Sequence, residues 1–438
     1  MRMKWTVGFI LLAIVAGGTA WAQTLPAPLT LEESIQIALE KNLRLHSARE
    51  GVVGSRYRQK QAATNFLPQW TGQYSYSHYN DPVTVGAVQA AIPSERIASK
   101  DIFNFNSTVN QPIYAGGSIF SNYRVERYGV DISKGDVETV RRDIVLLVRE
   151  GYFNILRAEK FVDVGKQAVK QFEAQMEVAK AFFEVGITPK NDFLQSEVRL
   201  ANARQALVRA ENDLVLAKSS FNILLRRDIN ESLDVVDILE YKPSVLRLDE
   251  CINEALRLRP ELKNAELRVE QAKEGVKIAR SGYLPTIGVS GYYGRFSDAA
   301  TLHGDIDSDR WQLQALASFT LFDWGKTAYR VGESKVKVTQ AEDSRVQLIE
   351  EIILEVKQDY LNMLTAEKNI GVSEKSIEQA EENVRMNEER YKYQVATAWD
   401  VLDAVTLLAQ ARVNYYSALS DYNIAKARLD RAMGKMYP

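Results

Sequence analysis

The amino-acid sequence is a tandem duplication, and the constant spacing of its two copies limits the architectures open to the chain. An amino-terminal part of the first copy recurs 217 positions later, and the remainder recurs 208 positions later. The first spacing relates Leu29, Leu31, Glu33, Leu67 and Pro68 to Leu246, Leu248, Glu250, Leu284 and Pro285, and the second relates Gly117, Tyr152, Asn154, Asp192 and Arg204 to Gly325, Tyr360, Asn362, Asp400 and Arg412. One inserted residue would rotate every later side chain of a helix by about 100°. Each spacing is free of gaps over its own part of the copy, which predicts long helices, packed along their full length in one pseudo-symmetric domain.

The amino-terminal residues have the composition of an export signal. Arg2 and Lys4 precede a short apolar run, and Ala20-Trp21-Ala22 places small residues where a signal peptidase reads them. The alternative, a membrane anchor, would need an apolar run of about 20 residues. We therefore expect a signal peptide over 1–22, a first repeat over 23–226, an equatorial linker over 227–245 and a second repeat over 246–438.

The charge balance and the cysteine content exclude several classes of protein. The chain carries 55 Lys and Arg against 57 Asp and Glu, a formal net charge of −2, so no nucleic-acid partner is expected. Its one cysteine, Cys251, cannot form an intrachain disulfide. After residue 22 there is no run of about 18 apolar residues, so any passage through a bilayer would be made by strands.

Four segments alternate between apolar and polar residues. They are the segments 67–79, 102–114, 284–296 and 311–323. In the first, Trp70 and Tyr74 lie on the face opposite to Thr71 and Gln73. Each segment is long enough for a tilted strand to cross the hydrocarbon layer, which takes about 9 to 11 residues, whereas soluble strands usually have about 5 to 6. The pattern favours a transmembrane barrel with a polar lumen, and a soluble sandwich is the alternative.

Four strands leave two open edges, which lipid does not tolerate because it cannot satisfy unpaired backbone groups. The chain is therefore expected to complete its barrel with strands from further copies of itself. Closure in multiples of four strands allows a dimer, a trimer or a tetramer.

Between the strand pairs the pattern is helical. No proline occurs from Gly117 to Val185 or from Gly325 to Gln394, and each stretch predicts about 100 Å of helix. A shorter helix is expected to return after each, and a further helix to precede each strand pair, from about Thr30 to Asn65 and from about Leu248 to Gly282. A capping box is expected at Thr30. The two shorter helices placed end to end match the length of the long helix. This equal height favours a curved helical wall over the alternative of a solid coiled-coil stalk.

Three signatures occur once in each copy: the starts Leu29-Thr30-Leu31-Glu32-Glu33 and Leu246-Arg247-Leu248-Asp249-Glu250, the strand entries Phe66-Leu67-Pro68 and Tyr283-Leu284-Pro285, and the hairpin turns that lead into Asp192 and Asp400. From about Leu29 to Gly434 the chain resembles the TolC-like outer-membrane efflux and secretion ducts. The resemblance implies a mainly α fold with a transmembrane β-barrel: a homotrimer whose twelve-stranded barrel continues, through a mixed equatorial belt, into a periplasmic α-helical barrel. It also implies a closed tip that a periplasmic adaptor and an inner-membrane transporter open.

The resemblance assigns a periplasmic gate to four residues: Asp400, Asp403, Tyr391 and Asp192. Threefold symmetry would gather carboxylates at one narrow place, where like charges raise one another's pKa and attract cations. For Asp400 a second interpretation stays open, because Thr397-Ala398-Trp399-Asp400 has the spacing of a helix capping box.

The resemblance also assigns the adaptor-docking surface to the two hairpin tips. These comprise Val185, Gly186, Ile187 and Thr188 in the first copy and Gln394, Val395, Ala396 and Thr397 in the second. Two residues depart from the family pattern. Gln394 stands where the second hairpin normally has glycine, and Ala396 stands where some members have a latching arginine.

No residue pattern points to an enzyme, a cofactor or a bound metal. The three histidines, His46, His78 and His303, lack ligand spacing. The acidic run 305–309 is similar to a calcium loop, but Arg310 replaces the required glycine, so a solvated loop outside the barrel is expected there. The resemblance therefore implies a passive exit duct in the outer membrane of a Gram-negative bacterium, in contact with outer-membrane lipid and with a long periplasmic portion. The alternatives are an exported coiled-coil adhesin and a periplasmic adaptor.

Overall fold

The computed structural model describes residues 28–81, 99–305 and 307–436, so the expected signal peptide over 1–22 lies outside the described residues. Apart from a short 3-10 helix at Ser281–Tyr283, eight α-helices and four strands follow one another along the described chain. In chain order they are α1 (Leu31–Lys41), α2 (Leu43–Thr64), β1 (Gln69–His78), β2 (Asp101–Ala115), α3 (Ser118–Glu184), α4 (Lys190–Leu224), α5 (Leu248–Leu258), α6 (Pro260–Arg280), β3 (Thr286–Ser297), β4 (Asp307–Ser318), α7 (Lys326–Lys392) and α8 (Ala398–Ala432). The structure is therefore mainly helical with one sheet, and none of the described helices is both long and apolar enough to cross a membrane.

The backbone repeats with the same spacing as the sequence. Positive φ angles occur in pairs 208 positions apart: Gly116 with Trp324, Gly117 with Gly325, Gly186 with Gln394, and Arg226 with Gly434. Left-handed backbone is strained for residues with a Cβ atom. Each turn has therefore kept its conformation even where the glycine of one copy is replaced in the other.

The four strands form one antiparallel sheet in the order β1-β2-β3-β4. The two hairpins have the same register, because Gln69 pairs with Asn110 while their counterparts Thr286 and Ser318 pair with each other. Strand β1 and strand β4 each have one edge without a partner among the described residues.

Strand β4 differs from the sequence expectation at both ends. It starts at Asp307, inside the acidic run expected to be a loop, because Ser297 of β3 extends far enough to pair with it. It ends at Ser318 because its partner strand begins at Thr286, directly after Pro285, whose nitrogen cannot donate a hydrogen bond.

The helices that precede each strand pair are also broken, contrary to the single helices expected there. Asn42 has an extended backbone, and its side chain accepts a hydrogen bond from the Arg44 backbone N–H at 2.9 Å, which starts α2. In the second copy Arg259 is extended, as expected for a residue before proline, and α6 begins at Pro260. The capping box expected at Thr30 is confirmed, since the side chains of Thr30 and Glu33 each accept from the other's backbone N–H.

The helices form a wall in which α3 and α7 run the full height. Helix α3 packs against α2 and α6 near the strands and against α4 and α8 in the other half. Helix α7 packs against α5, α6 and α8. Among the described elements this leaves α7 at one edge of the wall and α2 with α4 at the other.

An ionic cluster joins the two copies where α8 ends beneath α6. The Arg431 guanidinium lies 2.9 Å from a carboxylate oxygen of Asp143 on α3, 3.4 Å from one of Glu261, and 2.8 Å from one of Glu355. Arg259, which is buried, pairs with the same two glutamates. The cluster therefore holds four helices together at one level.

Candidate functional site at the helix-hairpin tips

Helices α3 and α7 end in the same hydrogen-bonded turn. The Gly186 backbone N–H donates to the Phe183 carbonyl at 3.0 Å and the Ile187 N–H donates to the Phe182 carbonyl at 2.8 Å. In the second copy, Gln394 donates to the Tyr391 carbonyl at 3.0 Å and Val395 to the Arg390 carbonyl at 2.9 Å. Both patterns are those of a Schellman turn. The replacement of glycine by Gln394 thus changes the side chain at the tip but leaves the course of the backbone unchanged.

We expect Gln394→Gly to stabilise the second hairpin tip by about 1 kcal/mol, because Gln394 has a φ of 58° and a left-handed conformation costs a residue with a Cβ atom about that much. The measurement is amide hydrogen exchange at Val395 and its neighbours, which should slow about fivefold. Gly186→Gln is the matched control and should speed exchange in the first tip. Unchanged exchange in both variants would show that the left-handed turn carries no strain.

The eight expected docking residues lie at these two turns. Val185, Gly186 and Ile187 are exposed in the first tip, and Gln394 and Val395 in the second. Thr188 and Ala396 are half-buried, and Thr397 is exposed and caps α8. The first tip therefore presents two exposed apolar side chains, Val185 and Ile187, one on either side of its turn. The second tip presents one, Val395, directly after its turn.

Tyr391 lies at the junction between the two hairpins. Its side chain is buried, with its ring 5.5 Å from that of Phe182 on α3. Its hydroxyl has no hydrogen-bond partner among the described residues. Burial, and to a lesser degree the nearby Asp192 carboxylate, raise the pKa of Tyr391. The structure thus brings together two of the four expected gate residues, one from each hairpin.

Asp400 caps α8, as the capping-box interpretation predicted. Its carboxylate accepts from the Thr397 backbone N–H and hydroxyl, both at 2.8 Å, and these bonds lower the pKa of Asp400. Asp403, one turn later, is exposed and makes no hydrogen bond or ion pair with another described residue. Of the two expected gate carboxylates Asp400 and Asp403, only Asp403 makes no capping bond.

A contact that the sequence analysis missed also joins the hairpins. The Arg199 guanidinium of α4 lies 4.9 Å from the ring centroid of Trp399 on α8, within the range of a cation–π interaction. Trp399 has Asn191 as its counterpart in the first copy, so comparison of the two copies could not predict this contact. Because Ala396 cannot serve as an arginine latch, this pair is a cross-hairpin contact of another kind.

The four-stranded sheet lies at the other end of the long helices from the hairpin tips. Rows of paired residues cross all four strands on one polar face; one row contains Gln73, Asn106, Gly294 and Arg310. The opposite face carries Trp70, Tyr74, Val109 and Leu313, all of which are exposed. The sheet thus has one polar and one apolar face, and the outer edges of β1 and β4 have no partner among the described residues.

Comparison with known proteins identifies the architecture. The family model described as outer membrane efflux protein matches residues 34–222 and 251–435, one match for each copy. The chain belongs to this outer membrane efflux protein family.

Two relatives and two solved structures agree with this assignment. The chain is 24% identical to the outer membrane protein TolC of Vibrio cholerae over 68% of each chain. It is 19% identical to the outer membrane efflux protein BepC of Brucella suis over 97% of this chain and 89% of BepC. Its fold is similar to the outer membrane channel CmeC of Campylobacter jejuni (TM-score 0.79, 17% identity, 99% and 94% of the two chains) and to VceC of Vibrio cholerae (TM-score 0.78, 15% identity, 93% and 97%).

Proposed function

We propose that the protein is the outer-membrane exit duct of a tripartite efflux pump or a type I secretion system. It conducts cargo passively from a periplasmic adaptor and an inner-membrane transporter to the exterior. The working form is a homotrimer with a twelve-stranded barrel in the outer membrane and a helical barrel in the periplasm of a Gram-negative bacterium. Family membership supports the general role, and the open edges of the sheet support the assembly.

The observation that carries the proposal is that the sheet of one chain is open at both of its edges. Strands β1 and β4 end the sheet with unpaired edges among the described residues, and lipid requires those edges to be paired. Pairing β4 of one subunit with β1 of the next gives a head-to-tail interface, which closes as a ring.

The helical wall has matching edges. Phe153 and Val164 of α3 are 5% exposed because the second copy covers them, whereas their counterparts on α7, Leu361 and Val372, are 49% and 71% exposed. On the other edge the same contrast holds between buried Ile424 of α8 and exposed Leu216 of α4. A neighbouring subunit that packs on α7 as the second copy packs on α3 would bury these apolar side chains, each worth about 1.5 to 3 kcal/mol when fully buried.

The gate is proposed at the periplasmic tip, where three copies of the hairpins converge on the axis. Asp403 supplies the free carboxylate, and Asp192 lies near Tyr391. The Tyr391–Phe182 ring contact and the Arg199–Trp399 pair hold the two hairpins of each subunit together. The exposed tip residues Val185, Ile187 and Val395 form the surface for the adaptor. Opening of the gate then requires the hairpins to move apart, together with the long helices α3 and α7 that end in them.

We expect Asp403→Asn to raise single-channel conductance in planar bilayers by about two- to fivefold at low salt, because it removes three convergent charges that bind cations in a narrow passage. Helix α8 should stay intact, since Asp403 has no capping bond. Trp399→Ala should also raise the conductance, because it removes the contact between Arg199 and Trp399 that joins the hairpins.

Tyr393→Ala, at an exposed tip position, is the matched control and should leave conductance unchanged. Asp400→Ala would confound the measurement because it also removes the cap of α8. A purified wild-type trimer that forms no channels would remove the duct assignment, and channels indifferent to Asp403→Asn would remove the gate assignment alone.

A further inference from the structure

Arg310 occupies an isolated position on the polar face of the sheet. The other polar-face side chains of the four strands are hydroxyls, amides, glycines and a few apolar or aromatic groups, and Arg310 is the only one among the described strand residues that carries a charge at neutral pH. The remaining charged residues of the strands, such as Arg295 and Asp307, lie on the opposite face, where they pair with each other at 3.0 Å. Arg310 forms no ion pair within the described part of the chain.

The surroundings of Arg310 hold its guanidinium group over the polar face. Its Cζ atom lies 6.0 Å from the ring centroid of Tyr292, and the Tyr292 hydroxyl donates to Asn106 Oδ1 at 2.7 Å. Tyr292 can lie flat along the sheet because Gly294 lacks a side chain; a Cβ atom there would come within 2.2 Å of the Tyr292 hydroxyl oxygen. Asn106, Gly294 and Arg310 belong to one row, so the aromatic ring bridges from the second strand to the fourth.

From this arrangement we propose that three Arg310 side chains form a positive ring in the outer part of the barrel lumen and that this ring makes the exit selective for anions. The inference rests on the proposed trimeric duct, in which the polar face lines the lumen. It assigns the favoured cargo class as organic or inorganic anions, with Tyr292 as a neighbouring stacking surface for aromatic ones.

Simple geometry shows that such a ring acts across the whole lumen. Twelve strands about 4.8 Å apart and tilted by about 40° enclose a barrel about 24 Å in diameter between backbones. An arginine that extends inward from that wall leaves the axis within about one Debye length, about 8 Å at physiological ionic strength. No carboxylate of the described polar face offsets the three charges, so every permeating ion meets a positive potential at this level.

The test is the chloride-to-potassium permeability ratio, taken from reversal potentials of the reconstituted protein under a KCl gradient. Arg310→Gln should lower this ratio about fivefold relative to the wild type, an order-of-magnitude expectation for three unit charges at this distance. Arg310→Lys should restore most of the ratio because it keeps the charge. Asp309→Asn, a charge change at the adjacent residue on the opposite face, is the matched control and should leave the ratio unchanged.

A cysteine at Gln73, in the same row as Arg310, tests the lumen assignment separately from the selectivity ring. Modification of Gln73→Cys with a negatively charged methanethiosulfonate should lower the ratio if the polar face lines the lumen. If that reagent lowers the ratio but Arg310→Gln does not, the selectivity ring is wrong and the lumen assignment stands. If neither has an effect, or the protein forms no channels, the lumen assignment fails and the ring fails with it.

Discussion

Insertion of a single alanine after Ile144 is expected to abolish assembly of the protein in the outer membrane. Ile144 is completely buried in the core of the first copy, with Tyr152 and Phe153 further along the same helix. The insertion would turn one end of α3 by about 100° relative to the other, and α3 packs against five other helices along its length. Because several buried side chains would leave their sites together, the loss would exceed the stability of an ordinary domain, about 5 to 15 kcal/mol.

The measurement is the amount of heat-resistant oligomer in outer-membrane fractions, which should fall below detection. The matched control is the same insertion after Thr301, an exposed turn residue between β3 and β4, which should assemble normally. Normal oligomer from the Ile144 insertion would contradict the inference that the duplication has been kept free of gaps by packing along the whole helix.

Cysteines at Gln73 and Ser318 together are expected to convert the protein into covalently closed trimers upon oxidation. The two residues lie on β1 and β4, the opposite edges of the sheet in one chain. Their counterparts, Ser290 and Asn110, pair directly where the first copy meets the second. If neighbouring subunits repeat that contact, Gln73 of one subunit faces Ser318 of the next, at the Cα separation of about 4.5 to 5.5 Å that a disulfide accepts.

Non-reducing electrophoresis should then show dimers and trimers at the expense of monomers, with trimers dominant at completion. The pair Tyr74→Cys with Ser318→Cys is the matched control, because adjacent strand residues point to opposite faces; it should yield few crosslinks. Equal crosslinking of both pairs, or crosslinked species larger than trimers, would overturn the register or the subunit number.

The elements that the sequence predicted well are those with long, regular patterns. Period-two alternation located all four strands, and the proline-free stretches located α3 and α7, because a repeating apolar face is a property of many residues at once. The capping boxes at Thr30 and Thr397 were predictable from four residues each, since their hydrogen bonds are local.

The features that the sequence did not predict depend on contacts between distant segments or on single residues. The break at Asn42 requires one side chain to cap a helix inside an otherwise helical pattern. Arg199 and Trp399 meet only because α4 and α8 converge at the tips, and neither has a similar counterpart in the other copy. Arg310 was interpreted as a departure from a calcium loop, because its place on β4 depends on how far β3 extends.

The ionic cluster around Arg431 has a consequence for how a ring of these chains would dilate. At the equivalent seam between neighbouring subunits, Arg431 and Glu355 have Ile223 and Leu147 as their counterparts, and these cannot form ion pairs. A pore built from six similar units would thus have two kinds of seam in alternation, three joined by the Arg431 cluster and three that lack its arginine. If three chains form the proposed ring, we expect it to open along the three seams that lack the cluster, so that each subunit moves as one rigid unit and the aperture widens with threefold rather than sixfold symmetry.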